Sequence, residues 1–292
     1  MTHAELLQYL ITGIATGSIY ALVAIGFVTI YNVTGILNFA QGEFAMLGAL
    51  TCISLVNAGF SGPIAALLAV MLTALIGLVM ERATIFPLKG AGVLTLIIIT
   101  IAVSSLLRGV ALLIWGTYPK SLPPIVAWSP IQIAGAVLIP QNLLIMLALL
   151  VLLAVLYLFF NKTYLGFAVR ASETNAKAAQ LMGINTASMT ALAFTLAAVL
   201  GAIAGILIAP ITGGMYDMGF TLGLKGFVAM VLGGMTNIPG AVLGGLVIGI
   251  VEAFSGGLIS TAYSDVISYT ILLLVLFFRP TGLFGQKGVK RV

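Results

Sequence analysis

The chain has 292 residues, of which 61% are hydrophobic and only 7% charged, against roughly 25% charged residues in an ordinary soluble domain. Its 12 Lys and Arg with 7 Asp and Glu cannot cover a soluble fold of this length with polar surface. Since a spanning helix needs about 20 mainly apolar residues, the composition predicts an all-α integral membrane protein, a polytopic bundle of about eight to nine transmembrane helices. Residues 1–292 are expected to form a single domain.

Several kinds of chemistry are disfavoured by residues that the sequence lacks. It holds one cysteine, Cys52, and one histidine, His3, which excludes a disulfide within the chain and leaves no usual ligand set for zinc. It also has no G-x-x-x-x-G-K-[ST] phosphate loop. We therefore expect a chain that is not an enzyme and binds no metal or cofactor, and we interpret the basic surplus as membrane orientation, with no nucleic acid partner.

Glycine is frequent, and it recurs at the small-x-x-x-small spacing that lets helix backbones approach closely in lipid. Five pairs show the spacing: Gly13/Gly17, Gly201/Gly205, Gly219/Gly223, Gly240/Gly244 and Gly245/Gly249. The pattern predicts tight packing within the bundle, and a face that lines a pathway is the alternative.

The Gly-rich stretch 214–254 is too long for one span and breaks at 236–240. If the break is a turn between two crossings, nine basic residues share one side of the membrane, while Lys120 and Lys225 lie on the other. The nine are Arg82, Lys89, Lys162, Arg170, Lys177, Arg279, Lys287, Lys290 and Arg291. The positive-inside rule then places the break, the polar loop 161–188 and the C-terminus in the cytoplasm. The segment before the break can also be a broken half-helix.

Two interrupted apolar segments, at 38–42 and 237–240, each lead into a Gly-rich helix and one further span. Paired interruptions of this kind are the best sequence indicator of a transport pathway, although ordinary loops that contain Asn and Gly would look the same. The candidate pathway residues are Asn38, Gln41, Gly42, Glu43, Gly233, Gly234, Asn237 and Gly240.

The loop 161–188 is the one substantial polar segment, and residues 173–182 within it are rich in helix formers. Ser172 can cap the start of this helix and Gly183 can end it. A short exposed helix of this kind is a docking surface for a soluble partner, whereas a helix lying on the membrane surface is the alternative.

Charged residues inside apolar runs are costly and usually paired or functional. Arg108 and Glu252 are two such residues, and we predict that they face the interior at similar depth and pair, unless both reach the interface by snorkelling. Glu43 is expected to stabilise the N-terminus of its own helix.

Motifs along most of the chain resemble one family. Lys177–Gly183 is similar to the Glu-Ala-Ala-x-x-x-Gly coupling motif of ABC importer permeases, with Lys at the Glu position. Four further segments, in the same order, resemble the permease subunit of high-affinity branched-chain amino acid ABC transporters in its shorter form. These are Leu37–Gly42, Gly223–Met235, Pro239–Gly245 and Arg279–Gly285.

The resemblance implies a pore in the bacterial inner membrane that works by alternating access with a second homologous permease, two cytoplasmic ATPases that bind the ATP, and a periplasmic binding protein. The residues it implies for ATPase coupling are Arg170, Glu173, Asn175, Lys177, Ala178, Ala179, Leu181, Gly183 and Ile184. The substrate would be a branched-chain or related amino acid, or alternatively urea or a short amide. A stand-alone channel or secondary transporter is a further alternative, and an intramembrane enzyme is disfavoured because no catalytic set stands out.

Overall fold

The computed structural model describes residues 2–126, 128–133, 135–279 and 281–285. Lys287, Lys290 and Arg291, which contribute to the charge count above, lie outside these residues. In chain order the elements are α1 (His3–Thr34), α2 (Gln41–Asn57), α3 (Gly62–Met80), α4 (Val93–Trp115), β1 (Ile131–Ile133), β2 (Ala136–Leu138), α5 (Pro140–Lys162), α6 (Tyr164–Thr174), α7 (Ala176–Leu181), α8 (Thr186–Thr212), α9 (Met218–Gly233), α10 (Ile238–Leu258) and α11 (Ser264–Phe278). A π-helical turn, Glu81–Ile85, and 3-10 turns at Phe86–Leu88 and Thr261–Tyr263 adjoin α3 and α11.

The predicted polytopic all-α architecture is confirmed. Seven helical segments in the described part are long and apolar enough to cross a membrane, and α2 and α9 are shorter, with 17 and 16 residues. The antiparallel hairpin of β1 and β2 lies just before α5. We call the end of the bundle that carries it the hairpin end, and the other the α6–α7 end.

Two helices, α1 and α8, form the centre of the bundle. In the most apolar 18-residue stretch of each helix, 78% of the residues are buried in α1 and 72% in α8. The corresponding share is 17% in α4 and in α5, and 11% in the segment Thr261–Phe278 that contains α11. The outer helices therefore present long apolar faces, which only lipid or another apolar protein surface can cover without an energetic cost.

Close packing at glycine confirms the prediction made from the spacing of small residues. A Cβ placed on Gly17 of α1 would meet the Gly245 carbonyl oxygen and Leu246 Cα of α10, both at 2.8 Å. The other pairs also face helix backbones: Gly13 and Gly249 at the α1–α10 contact, Gly201 and Gly205 against α2, Gly219 and Gly223 against the start of α2, and Gly240 and Gly244 against α9.

Helix α2 begins inside the bundle. The chain turns at Gly35 (φ +70°) and runs back, so that the side chain of Gln41 packs against Gly26 of α1. At a rise of about 1.5 Å per residue, this contact lies roughly 12 Å before the end of α1. The predicted interruption at 38–42 is therefore a re-entrant segment.

Helix α9 also begins inside the bundle. Gly214 contacts Leu50 and Ile53 in the later part of α2, whereas Gly219 packs against Gly42 and Glu43 at the start of that helix. The segment between them thus runs inward from the hairpin end before α9 begins. Of the two alternatives for the stretch before the break, the short broken helix fits the structure.

We predict that Gly17→Ala destabilises the protein, because the added methyl group has no room against the α10 backbone. The expected loss is about 1–3 kcal/mol, measured by reversible SDS unfolding in mixed micelles. Gly109→Ala is the matched control, since a Cβ on this α4 glycine meets nothing within 4 Å and alanine favours the helix. Equal stability of the two variants would contradict the prediction.

Candidate functional site

The polar loop folds as two helices, α6 and α7. The prediction of one helix over 173–182 capped by Ser172 is wrong, because the chain breaks at Asn175. The Asn175 side chain accepts a hydrogen bond from the Ala178 backbone N–H at 3.0 Å and so caps α7, while the Ser172 hydroxyl donates to the Ala168 carbonyl within α6. An asparagine favours such a cap over a helix interior.

Helix α7 ends as predicted at Gly183, which has φ +86°. The Gly183 N–H donates to the Gln180 carbonyl and the Ile184 N–H to the Ala179 carbonyl, both at 3.0 Å. These two hydrogen bonds are the pattern of a Schellman motif. Immediately before it, Leu181 is 89% exposed and Met182 83% exposed. Ala178 is exposed, whereas Ala179 is buried and fixes the position of α7. The loop therefore presents a rigid apolar tip.

A cleft of about 1730 Å³ opens beside this tip, between the ends of α1 and α5 and the start of α10. Arg170, Glu173, Asn175 and Lys177 all line it. Arg170 Nη1 donates to Asn161 Oδ1 at 2.9 Å. Burial raises the pKa of Glu173, and the nearby Arg170 charge opposes that rise. Four of the predicted coupling residues thus border a cleft that leads into the bundle.

The start of α2 holds a buried ionic group. Glu43, 1% exposed, accepts hydrogen bonds at one carboxylate oxygen from Ser104 Oγ at 2.8 Å and from Arg108 Nε at 3.2 Å. Arg108 Nη2 also donates to Ser104 Oγ at 3.2 Å, and its guanidinium carbon lies 4.8 Å from the Phe220 ring centroid. We name Glu43, Ser104 and Arg108 the central triad. The triad joins α2 to α4, and the contact of Arg108 with Phe220 extends it to the first turn of α9.

The predicted pair of Arg108 and Glu252 is wrong. Glu252 accepts hydrogen bonds from Lys225 Nζ at 2.5 Å and from the Tyr20 hydroxyl at 2.7 Å, and Lys225 also contacts Asp265 at 2.9 Å. The pairing differs because α10 packs against α1, α9 and α11, whereas α4 lies along α2. Lys225, expected on the outer side of the membrane, is only 6% exposed.

The first four pathway candidates surround the two helix starts. Asn38 and Gln41 are fully buried, and Gln41 Nε2 donates to the Ala197 carbonyl of α8 at 2.9 Å. Asn38 Oδ1 accepts the Ala40 N–H at 3.1 Å. Gly42 packs against α9, so these three residues, together with Glu43, hold the re-entrant segment in place.

The other four candidates lie apart from these, at the turn between α9 and α10. Gly233 and Gly240 pack backbone to backbone, and Gly234 has φ +112°. The Asn237 side chain accepts the Gly240 N–H at 3.1 Å and donates to the Phe284 carbonyl at 3.3 Å. The candidates therefore form two groups, one central and one at the α6–α7 end.

Sequence reasoning missed Ser104, Lys225 and Glu81 as interior polar groups, and it missed the exposed Asp265 as a partner of Lys225. Ser104 could have been found, because it lies four residues before Arg108 and so on the same helix face. Glu81, the first residue of the π-helical turn, is fully buried. No group of three or more His, Cys, Asp or Glu side chains that could hold a metal ion occurs in the part of the chain that the structure describes.

The long apolar helices, the two helices that begin inside the bundle and the exposed helical loop define a multi-pass membrane transport protein. The family model described as branched-chain amino acid transport system / permease component matches residues 9–276, and the chain belongs to this family. The resemblance seen in the motifs is thereby confirmed.

Three relatives cover nearly the whole chain. The high-affinity branched-chain amino acid transport system permease protein BraD of Pseudomonas aeruginosa is 35% identical over 98% of both chains. The corresponding protein LivH of Escherichia coli is 34% identical over 98% of this chain and 97% of its own. The probable branched-chain amino acid transport permease protein LivH of Methanocaldococcus jannaschii is 30% identical over 94% and 92%.

We predict that Glu43→Gln and Arg108→Ala interact in a double-mutant cycle, because each substitution removes the other residue's partner in the central triad. The expected interaction energy is about 0.5–3 kcal/mol, measured by SDS unfolding in mixed micelles. Arg108→Ala combined with Glu252→Gln serves as the comparison and should be additive within about 0.5 kcal/mol. The reverse result would favour the pair expected from the sequence.

Proposed function

We propose that the chain is the membrane-spanning permease subunit of an ATP-driven ABC importer in the bacterial inner membrane. It moves branched-chain or related amino acids from the periplasm to the cytoplasm by alternating access. Its partners are a second homologous permease, two cytoplasmic ATPase subunits that bind ATP, and a periplasmic substrate-binding protein. The α6–α7 end and the C-terminus lie in the cytoplasm. The chain itself binds no cofactor and catalyses no reaction.

The observation that carries the proposal is the apolar tip at Leu181 and Met182. Two large apolar side chains held in solvent by a rigid Schellman motif cost free energy unless a partner covers them. The sequence has no phosphate loop of its own, so an ATPase subunit with a complementary groove is the partner that this family membership favours. Arg170, Glu173, Asn175 and Lys177 then form the polar rim of that contact, which is the usual composition of an interface edge.

The transport pathway is proposed to run along the central group and to open through the cleft at the α6–α7 end. Helices that begin inside the membrane direct unpaired N–H groups toward the interior, and such ends attract polar or anionic groups. The α2 and α9 starts meet in this way beside the central triad. Movement of the polar loop 161–188, here called the coupling loop, would be transmitted through α6, the end of α1 and the start of α10, which line the cleft together.

The names of the relatives favour branched-chain amino acids over urea or short amides as substrates. Reconstitution tests both the substrate and the class of transporter, that is, an ATP-driven importer against a channel or secondary transporter. The permease pair and the ATPases are placed in liposomes, the binding protein is added outside, and uptake of labelled leucine, isoleucine and valine is compared with uptake of urea and acetamide. We expect amino acid uptake only when ATP and the binding protein are both present. Flux through this chain alone would instead support a channel or secondary transporter.

We predict that the double substitution Leu181→Ser with Met182→Ser uncouples the ATPase. Loss of apolar anchors at an interface costs about 2 kcal/mol or more, so ATPase affinity should fall at least about thirtyfold, as measured by co-purification and by uptake. Tyr118→Ser, at an 85% exposed apolar residue outside the coupling loop, is the control and should retain both. Unchanged ATPase binding in the double variant would exclude this tip as the docking surface.

A further inference from the structure

A second, smaller pocket lies on the other side of the coupling loop from the cleft. Its volume is about 320 Å³, at the lower end of the range of roughly 300–1,000 Å³ typical of small-molecule sites. One wall comes from the end of α1, the π-helical turn and the start of α4, and the other from α6, α7 and the start of α8. The groups that matter here are Glu81, Lys89, Ile36, Leu96, Gln180 and Thr186.

Glu81 is the unusual feature of this pocket. Its side chain is fully buried, and neither carboxylate oxygen has a hydrogen-bond partner among the described residues. Arg82 Nε lies 3.5 Å from one oxygen, but the Arg82 side chain is 44% exposed. A carboxylate removed from water costs several kcal/mol unless a cation and hydrogen-bond donors accompany it. The site therefore favours a ligand that brings its own ammonium group.

Lys89 supplies the opposite charge at the same pocket. Its Nζ lies 3.8 Å from the Phe86 ring centroid, and it forms no salt bridge with a described residue. This cation disfavours a bare metal ion or a basic side chain as the occupant, since either would be repelled by it. Ile36 and Leu96 are buried core residues that border the pocket. One anion, one cation and an aliphatic wall together suit a zwitterionic amino acid with an aliphatic side chain.

We propose that this pocket is an inhibitory site for cytoplasmic amino acid, with the ligand's ammonium group on Glu81 and its carboxylate on Lys89. The proposal rests on the proposed function, because it takes the imported product as the ligand. Bound amino acid would fill the space between the α1–α4 wall and the coupling loop. The Gln180 side chain donates to the Thr186 hydroxyl at 2.6 Å, which ties α7 to α8 at this wall. An occupied pocket leaves the coupling loop no room to move toward the α1–α4 wall, so import slows as product accumulates.

The test uses the complete transporter in liposomes loaded inside with leucine, with leucine amide, which lacks the carboxylate, or with 4-methylpentanoate, which lacks the ammonium group. For each variant the initial import rate is expressed relative to the same vesicles without internal ligand. Internal leucine should slow the wild type by about fivefold or more, and the two analogues should not. Glu81→Gln and Lys89→Gln should abolish the effect of leucine. Lys162→Gln, at an exposed lysine elsewhere at this end, should keep it.

Equal inhibition of wild type and Glu81→Gln would overturn the proposal, because it would indicate product binding in the pathway itself. Inhibition by internal NaCl or MgCl₂ alone would overturn it in favour of a cation site. If no import occurs under any condition, the proposed function fails. Equilibrium dialysis of labelled leucine against the purified full-length chain then shows independently whether the pocket binds the amino acid. Binding by the wild type that is lost in Glu81→Gln and Lys89→Gln supports the pocket, and its absence in the wild type refutes it.

Discussion

The close approach of helix backbones at glycine is the constraint on which this architecture depends. Where Gly42 meets Gly219 and Gly223, no side chain separates α2 from α9, and both helices can begin within the bundle. Polar backbone away from water is tolerated in a membrane only when protein covers it. The buried Asn38 and Gln41 form hydrogen bonds around this point, and the central triad stands where the two helix starts converge. The site is thus a consequence of the packing.

How much could be predicted from the sequence depends on whether the signal is local. The length of apolar runs, the glycine spacing and the capping residues are local, so the helices, the close contacts and the end of α7 at Gly183 were predictable. Helix neighbours are not local. Arg108 and Glu252 each stood out as intramembrane charges, yet their partners depend on which helices lie side by side, and Glu43 and Lys225 take those places. Asn175 shows the limit of propensity, since one capping side chain divides a segment otherwise rich in helix formers.

Polar groups at the α6–α7 end are distributed on both sides of the coupling loop. Arg170 and Glu173 face the large cleft, while Gln180 and Thr186 face the pocket that holds Glu81. The loop therefore lies between two solvent-accessible spaces and contacts the bundle mainly through α8 and α5. Under the proposed function, movement of this loop relative to the helices would be limited by whatever fills either space.

The turn between α9 and α10 is completed by residues that follow α11. The Leu283 and Phe284 N–H groups donate to the Leu232 and Gly233 carbonyls at 2.8 and 3.1 Å, which satisfies acceptors that the end of a helix otherwise leaves open. These donors come after α10 and α11, so the end of α9 depends for its hydrogen bonds on a segment two helices further along the chain. The surface at the α6–α7 end is therefore shared by two parts of the chain, and a change in the segment after α11 alters the end of α9 as well.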